Sequence, residues 1–582
     1  MLPLPGSVTW GQGEFALTPS VALSVGEGLD GVAHWLRGEL GPALGCWLPP
    51  AGTPPEPPGR GTRPGSQGGQ PVPPGHESSG GRAVPARPKI ALALDPALPA
   101  SGYLLVVTPD GVTLLGGDPA GVFHGAQTLR QLLPPAAFRR APVAGGPWHV
   151  PAVTVRDAPR FPWRGCMLDV ARHFMPKADV LRFVDLLAAH KLNVLHLHLT
   201  DDQGWRFPVA KYPLLTEVGG WRTESMVGSR QHGRHDGRPH GGHYTAEDLR
   251  EIVGYAAARF VTVVPEIDLP GHTQAAVAAY PWLARGTTAP GSAAPEDGGS
   301  DPTAQRNGIP AGAVQPDDNA AEAVPVKTGW GLSPHGIALT EETLAFCRDV
   351  LDEVCALFPG TLIGIGGDEC PPDQPADARR AFVRGLVDHL ATHGRRAYAW
   401  DEILEGGAPA DVTVAAWRGP GVTRSAAGAG HDVVACPDLS TYLDYRQSAD
   451  PDEPIPVGTV LTLDDVYAFD PAALAPDHPD RILGAQCNVW TEHMPGTRAV
   501  DYMVFPRLCA LAEVVWSGAG RDLADFRTRL AAHLPRLAAL GVEYRPEDGP
   551  LPWQRRPDAP GWPRERADRE AELDIMVNGP RS

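Results

Sequence analysis

From about residue 156 the chain alternates short apolar runs with amphipathic stretches. The runs are WRGCMLDVAR (163–172), LNVLHLHLTDD (192–202), VTVVPEID (261–268), TLIGIGGDE (361–369), RRAYAWDE (395–402), VTVAAWRG (412–419), DVVACP (432–437) and ILGAQCNVWTE (482–492). Between them, KADVLRFVDLLAAHK (177–191), TAEDLREIVGYAAARF (245–260) and EETLAFCRDVLDEVCALF (341–358) repeat apolar residues at three- and four-residue intervals, as a helix with one buried face requires. Thr245 and Thr340 stand where N-caps belong, with acidic residues close behind. Eight strands mostly alternating with helices across 156–545 predict a (β/α)8 barrel. A doubly wound open sheet is the rival, but no glycine-rich phosphate turn follows the first strand.

The rest of the chain has a different rhythm. Residues 1–45 and 88–155 read as short strands and helices, with YLLVVTPDGVTLLGG (103–117) as a strand and AGVFHGAQTLRQLL (120–133) as a helix. Two Pro/Gly/Ser-rich segments, 49–88 and 286–326, carry too little apolar surface to fold and are expected to be poorly ordered insertions. The stretch 546–582 is polar and Pro/Arg-rich and is assigned no role.

Composition narrows the function classes. With 582 residues, 42% of them hydrophobic, the chain can fill more than one core, which excludes a disulfide-held miniprotein and a disordered chain. A net charge of −18 repels nucleic acid and anionic lipid, so neither is expected as a partner. No run approaches the ~18 apolar residues of a membrane span. The first residues, MLPLPGSVTWGQGEFAL, lack a basic and an apolar signal region, so a cytoplasmic location is expected. Eight cysteines form no CxxC pair and read as buried free thiols, consistent with a reducing compartment.

Nearly every barrel strand ends in polar or aromatic residues: Arg172, Asp201/Asp202, Glu266/Asp268, Asp368/Glu369, Trp400/Asp401, Trp417/Arg418, Trp490/Glu492. Barrel active sites are built at that C-terminal rim. Asp368 and Glu369 follow Gly366 and Gly367, which let the backbone turn so that both carboxyls serve one pocket. Burial and a charged neighbour would raise one carboxyl into the range of a general acid. A capping or surface acidic pair is the plainer alternative. Trp400, Trp417 and Trp490 all end strands, and Tyr442 follows the seventh. Aromatic faces pack on the C–H faces of a sugar, although each could also be core packing. Arg172, Asp444 and Glu492 can make charge-assisted bonds to hydroxyls. His196 and His198, with His272 and Asp368 later, leave a metal site of amidohydrolase type open. The loop QHGRHDGRPHGGHY, with His232, His235, His240 and His243, reads as a surface or substrate-site loop rather than a zinc site.

RGCMLDVARHF (164–174), HLHLTDDQGWR (196–206), PEIDLPGHT (265–273), GGDE (366–369), YAWDE (398–402), AAWRG (415–419), YLDY (442–445) and NVWTEH (488–493) together resemble family 20 glycoside hydrolases, the β-N-acetylhexosaminidases. The resemblance runs in order over about 1–545. It implies a small α+β domain over 1–155, of which LPLPGSVTW and FHGAQTLRQLL are recognisable pieces, ahead of a catalytic barrel. It also implies substrate-assisted hydrolysis, in which the sugar's own 2-acetamido oxygen attacks the anomeric carbon.

On that resemblance Glu369 is the general acid and then the base, and Asp368 orients the acetamido N–H. Tyr442 donates to the acetamido oxygen, and Trp400, Trp417 and Trp490 wall the pocket. Arg172 holds the 3- and 4-hydroxyls, Asp444 and Glu492 the 4- and 6-hydroxyls, while Asp201 and His272 tune Glu369. Arg164 is structural. No cofactor and no metal are implied, the partner is a carbohydrate substrate, and the oligomeric state is left open. Two departures stand out. Gly364 occupies a position where many members carry histidine. The stretch LDDVYAFDP (463–471) offers Tyr467 and Phe469, neither assignable, where many members supply a further tryptophan. The readings in play are an exo-β-N-acetylhexosaminidase acting on terminal GlcNAc (GalNAc in the wider form), a metal-dependent amidohydrolase, and a non-catalytic sugar binder.

Overall fold

A computed structural model describes residues 1–45, 47–50, 88–141, 148–284, 324–371, 374–455, 457–518, 520–555 and 561–579. Most of 49–88 and 286–326 lies outside these residues, as does Cys46.

The first 157 residues form a six-stranded sheet of β1 (Ser7–Leu17), β2 (Ala22–Val25), β3 (Lys89–Leu94), β4 (Tyr103–Thr108), β5 (Gly111–Gly116) and β6 (Trp148–Asp157), ordered β1-β6-β4-β5-β3-β2. The run expected as one strand over 103–117 is instead an antiparallel hairpin, β4 pairing β5 with Thr108 opposite Gly111. Pro109 and Asp110 form the turn: the proline has no N–H to give a ladder, and a Pro-Asp-Gly sequence is turn chemistry. Two helices, Asp30–Leu44 and Pro119–Gln131, pack against the sheet and each other. Gly125 sits where a Cβ would lie 2.2 Å from Leu114 and 2.9 Å from Tyr103, so the second helix can press this close only with glycine there.

The eight apolar runs become the eight strands of a closed parallel barrel: β7 (Trp163–Asp169), β8 (Val194–His198), β9 (Thr262–Glu266), β10 (Leu362–Gly364), β11 (Arg396–Trp400), β12 (Thr413–Ala416), β13 (Val433–Ala435) and β14 (Ile482–Val489). β14 closes on β7, with Cys487 beside Cys166. Helices Lys177–Ala189, Ala246–Ala257 and Glu341–Leu357 lie where the apolar period places them, and Thr245 and Thr340 each make a capping box. Cys166, Cys347, Cys355, Cys436, Cys487 and Cys509 are buried free thiols and Cys370 is half-buried. No helix among the described residues is long and apolar enough to cross a membrane.

Sheet and barrel meet through a buried polar cluster. Asp157, at the end of β6, accepts from Tyr103 Oη (2.7 Å), Lys191 Nζ (2.9 Å), Trp516 Nε1 (3.0 Å) and the Gly6 N–H (3.0 Å). Lys191 is buried, and burial lowers its pKa against the pull of Asp157. Arg164 lies beside it, donating to the Lys191 and Phe161 carbonyls, a structural placement as expected. Removing one partner of a buried pair strands the other charge, so Asp157→Ala should cost about 3–5 kcal/mol. Urea unfolding checks this; a loss under about 1 kcal/mol would mean that water replaces the carboxylate at no cost.

Candidate active site

The segment after β10 departs sharply from strand geometry. Gly366 (φ +67°) and Gly367 (φ +95°) are left-handed, and so is Glu369 (φ +44°). A Cβ on Gly366 would lie 1.7 Å from Asp268 Oδ1, so only glycine lets the chain pass over that carboxyl. The bend brings Asp368 and Glu369, which a straight strand would point apart, to one imidazole. His272, itself at φ +51°, places Nε2 3.5 Å from Glu369 Oε2 and 3.8 Å from Asp368 Oδ2. Its Nδ1 lies 3.2 Å from Asp201 Oδ1. Non-glycine residues held in this region cost of order 1–3 kcal/mol each and cluster at functional sites.

Asp201 is the hub of the charge network. Its Oδ2 lies 2.6 Å from Arg172 Nη2 and 3.0 Å from His198 Nε2. Arg172 also reaches Asp169 (3.4 Å) and Gln203 (3.1 Å). Burial alone would raise the Asp201 pKa, but Arg172 and His272 hold it well below the carboxylate range. Burial would likewise lower His272, and Asp201 outweighs it, so the imidazole is held well above its ordinary value. Asp368 is raised to about 7, chiefly by burial, with His272 opposing and Glu266 and Glu369 adding.

Beside these groups the aromatics make a box. The Trp400 ring lies 5.8 Å from Trp490, Trp490 lies 6.3 Å from Tyr442, and Tyr442 stacks on Trp417 at 6.2 Å. The Arg172 guanidinium covers Trp490 at 4.8 Å. The Trp400 indole Nε1 donates to Glu266 Oε1 (2.7 Å), and the Trp417 backbone N–H donates to Asp401 Oδ2 (2.7 Å). Tyr442 ends the short helix Asp438–Thr441. Burial and the proximity of Glu492 push Asp444 well above the carboxylate range, and burial raises Glu492 against the pull of Arg172. Asp368 Oδ1, Asp444 Oδ1, Glu492 Oε2 and Trp417 Nε1 are buried without a hydrogen-bond partner among the described residues. All eleven residues singled out in the sequence (Arg172, Asp201, His272, Asp368, Glu369, Trp400, Trp417, Tyr442, Asp444, Trp490 and Glu492) therefore gather at one end of the barrel. Glu369 and Glu492 line a cleft of about 270 Å³, and Asp444 and Trp490 line another of about 470 Å³.

His196 and His198 lie beneath the aromatic box, His196 against Trp400 at 5.7 Å and His198 against Trp490 at 5.0 Å. His198 Nδ1 faces Glu266 (2.8 Å) and its Nε2 faces Asp201, which makes it a charged bridge between carboxylates. His196 Nδ1 meets Gln486 (3.0 Å). Of the histidine-rich loop, His232, His235 and His243 are exposed, while the His240 Nε2 accepts from the Phe174 N–H (2.9 Å). At Gly364 a Cβ would lie 2.8 Å from the Glu266 Cβ, so Glu266 occupies the space a side chain there would need. Tyr467 stacks on Phe526 at 4.3 Å and bonds Glu513, which places it in helix packing outside the box.

Three contributors were missed by sequence reasoning. Asp268 is pushed well above the carboxylate range by burial and by Asp368. Glu402 accepts from the Glu369 N–H (2.9 Å) and is raised to about 8 by burial and then by Asp368. The third is the stretch after 560, where Trp562, Arg564 and Arg569 of the helix Arg566–Asn578 and its approach line the same cleft as Glu369 and Glu492. Gly366 was the available signal for Asp268, since a glycine forced by close approach implies something approaching.

A carboxylate pair meeting one histidine, at the C-terminal end of a (β/α)8 barrel and beside an aromatic box, defines a barrel protein with an enzyme-type site on its rim. The family model "Glycosyl hydrolase family 20, catalytic domain" matches residues 161–519, and "Glycosyl hydrolase family 20, domain 2" matches 1–158. The chain belongs to glycosyl hydrolase family 20. It is 37% identical over 495 residues to a Porphyromonas gingivalis β-hexosaminidase, covering 81% of this chain and 58% of that one. Thus it spans somewhat over half of that relative's length. The GH20 β-N-acetylhexosaminidase of Streptomyces coelicolor A3(2) superposes with a TM-score of 0.75 at 31% identity, covering 94% and 98% of the two chains. A mutant Streptomyces plicatus β-hexosaminidase in complex with its product GlcNAc does so with 0.74 at 31%, covering 94% and 97%.

Proposed function

We propose that the chain is an exo-acting β-N-acetylhexosaminidase that releases terminal, non-reducing β-linked GlcNAc, and in the wider form GalNAc, by a retaining, substrate-assisted route. The observation that carries this is the unpartnered, buried Asp368 Oδ1 beside an aromatic box, with Glu369 one residue away on His272. A sugar seated between the tryptophans would direct its acetamido N–H to Asp368 and its acetamido oxygen to Tyr442. That oxygen attacks C1 while the C1–O bond breaks, and Glu369 gives its proton to the departing oxygen. Positive charge on the acetamido nitrogen is met by Asp368. Water then attacks C1, gives a proton to Glu369, and the ring of the intermediate opens to free N-acetylhexosamine with the β configuration retained. Asp444 Oδ1 and Glu492 Oε2, buried without partners among the described residues, would accept from sugar hydroxyls, and Arg172 would donate its remaining N–H groups. Asp201 and His272 position Glu369 and share its charge.

The test is hydrolysis of paired aryl glycosides. A correctly held intramolecular nucleophile is worth effective molarities of roughly 10⁵–10⁸ M, so aryl β-GlcNAc should be cleaved at least about a thousandfold faster than aryl β-glucoside. A chelator should leave the rate unchanged. Equal cleavage of both sugars would overturn acetamide assistance, and chelator-sensitive cleavage would favour the metal-dependent reading.

A further inference from the structure

We infer that the C-terminal segment around Trp562 is part of the substrate site and forms the platform for the leaving sugar. The inference rests on the hexosaminidase reading above. The acid must stand over the glycosidic oxygen, so the leaving sugar lies on the open side of Glu369, away from the acetamide box. That open side is the cleft of about 270 Å³, floored by Glu369 and Glu492. Its walls are Trp330, from the stretch following the second insertion, and Trp562, from the stretch assigned no role by sequence. Trp562 is 36% exposed, and part of that surface faces the cleft.

The holding is specific. The Arg564 N–H donates to the Gly458 carbonyl (3.1 Å) and Arg569 Nε donates to Asp438 Oδ2 (2.9 Å). Arg569 also pairs with Glu572 (2.6 Å), which Arg564 bonds too, and Leu573 is buried. Gly458 (φ +64°) lies flat on Tyr445, where a Cβ would meet the ring at 2.2 Å. Two guanidinium groups lie close to the Trp562 ring, Arg230 at 5.2 Å and Arg564 at 5.6 Å. Its orientation is thereby set before any ligand arrives. A pre-ordered aromatic at the rim of a sugar site suits the apolar face of a pyranose, so the ligand class is the second ring of a β-linked oligosaccharide.

The experiment compares two donors in the full-length enzyme: N,N′-diacetylchitobiose, which has a leaving sugar, and β-GlcNAc fluoride, which has a single-atom leaving group. The readout is the ratio of their kcat/KM values. In Trp562→Ala the ratio of chitobiose to fluoride should fall about tenfold, the size of one aromatic contact. In Trp562→Phe, which keeps a ring, it should fall less than about threefold by the same measure. An unmoved ratio overturns the inference. So does an equal loss on both donors, which would mean that the segment acts only by bracing the Tyr442 loop through Arg569, Asp438 and Tyr445. If the wild-type protein cleaves neither donor, the hexosaminidase reading itself has failed.

Discussion

Glu369→Gln is expected to lose about 10²–10⁴-fold in kcat/KM on N,N′-diacetylchitobiose, the range of a single general acid, and far less on a nitrophenyl β-GlcNAc. The two substrates separate the roles of one residue. The specificity constant reports events through the first irreversible step, cleavage of the glycosidic bond. A sugar alkoxide cannot leave without a proton, whereas a nitrophenolate can, so the acid matters for the first and little for the second. The turnover number on the nitrophenyl substrate should still fall, because the intermediate must be opened by water and an amide in place of the carboxylate cannot take its proton. Glu369 is held for both tasks by His272 at 3.5 Å and by Glu402, which fixes its backbone N–H. The side chain is half-exposed, so the neutral amide should be accommodated with little change in stability. Equal losses in kcat/KM on the two substrates would remove Glu369 from the role of acid.

How much of this was legible in the sequence divides along physical lines. The barrel was legible because each strand is a continuous apolar run and each helix has a 3.6-residue period, both local signals. The site was legible because β-strand ends converge on one rim, so residues from eight distant segments could be placed together without knowing any contact. Asp268 and Glu402 were not separable from their neighbours. A carboxylate one position along a strand end can point into the pocket or away from it, and a run of adjacent polar residues does not say which. The hairpin at Pro109–Asp110 was signalled by its Pro-Asp-Gly sequence, but apolar residues on both sides of the turn read as one continuous strand. The helix Arg566–Asn578 was hidden for the opposite reason: Leu573 is its one buried residue, and it is fixed by arginine–carboxylate bonds instead of an apolar stripe. A periodicity argument sees cores, and this helix has almost none.

The same network explains why the catalytic charges are costly to keep, and this sets the second expected result. Asp368→Asn should lower kcat/KM by about 10²–10³-fold, the value of one preorganised electrostatic group at a developing charge. The loss should be alike for chitobiose and nitrophenyl β-GlcNAc, because the acetamide attacks in both, and that equality distinguishes Asp368 from Glu369. The variant should also be more stable than the wild type at alkaline pH. Burial raises Asp368 to about 7 from an ordinary 3.8, so the folded state binds a proton that the unfolded state has released. A group raised in this way lends stability fully below its unfolded pKa and loses it as pH climbs through the folded one. The window is therefore about pH 4 to 7, and the wild type should weaken across it while Asp368→Asn, with nothing to ionise, weakens less. Removing the Asp368 charge also relieves Asp268 and Glu402, both of which it helps to raise. Thermal melts of the two proteins at pH 4 and pH 8 check the sign: the gap in Tm should favour the variant at pH 8 and shrink at pH 4. A wild type as stable as the variant at pH 8 would mean that Asp368 carries its charge at no cost. Its readiness to meet a cationic acetamide would then have to come from somewhere other than its burial.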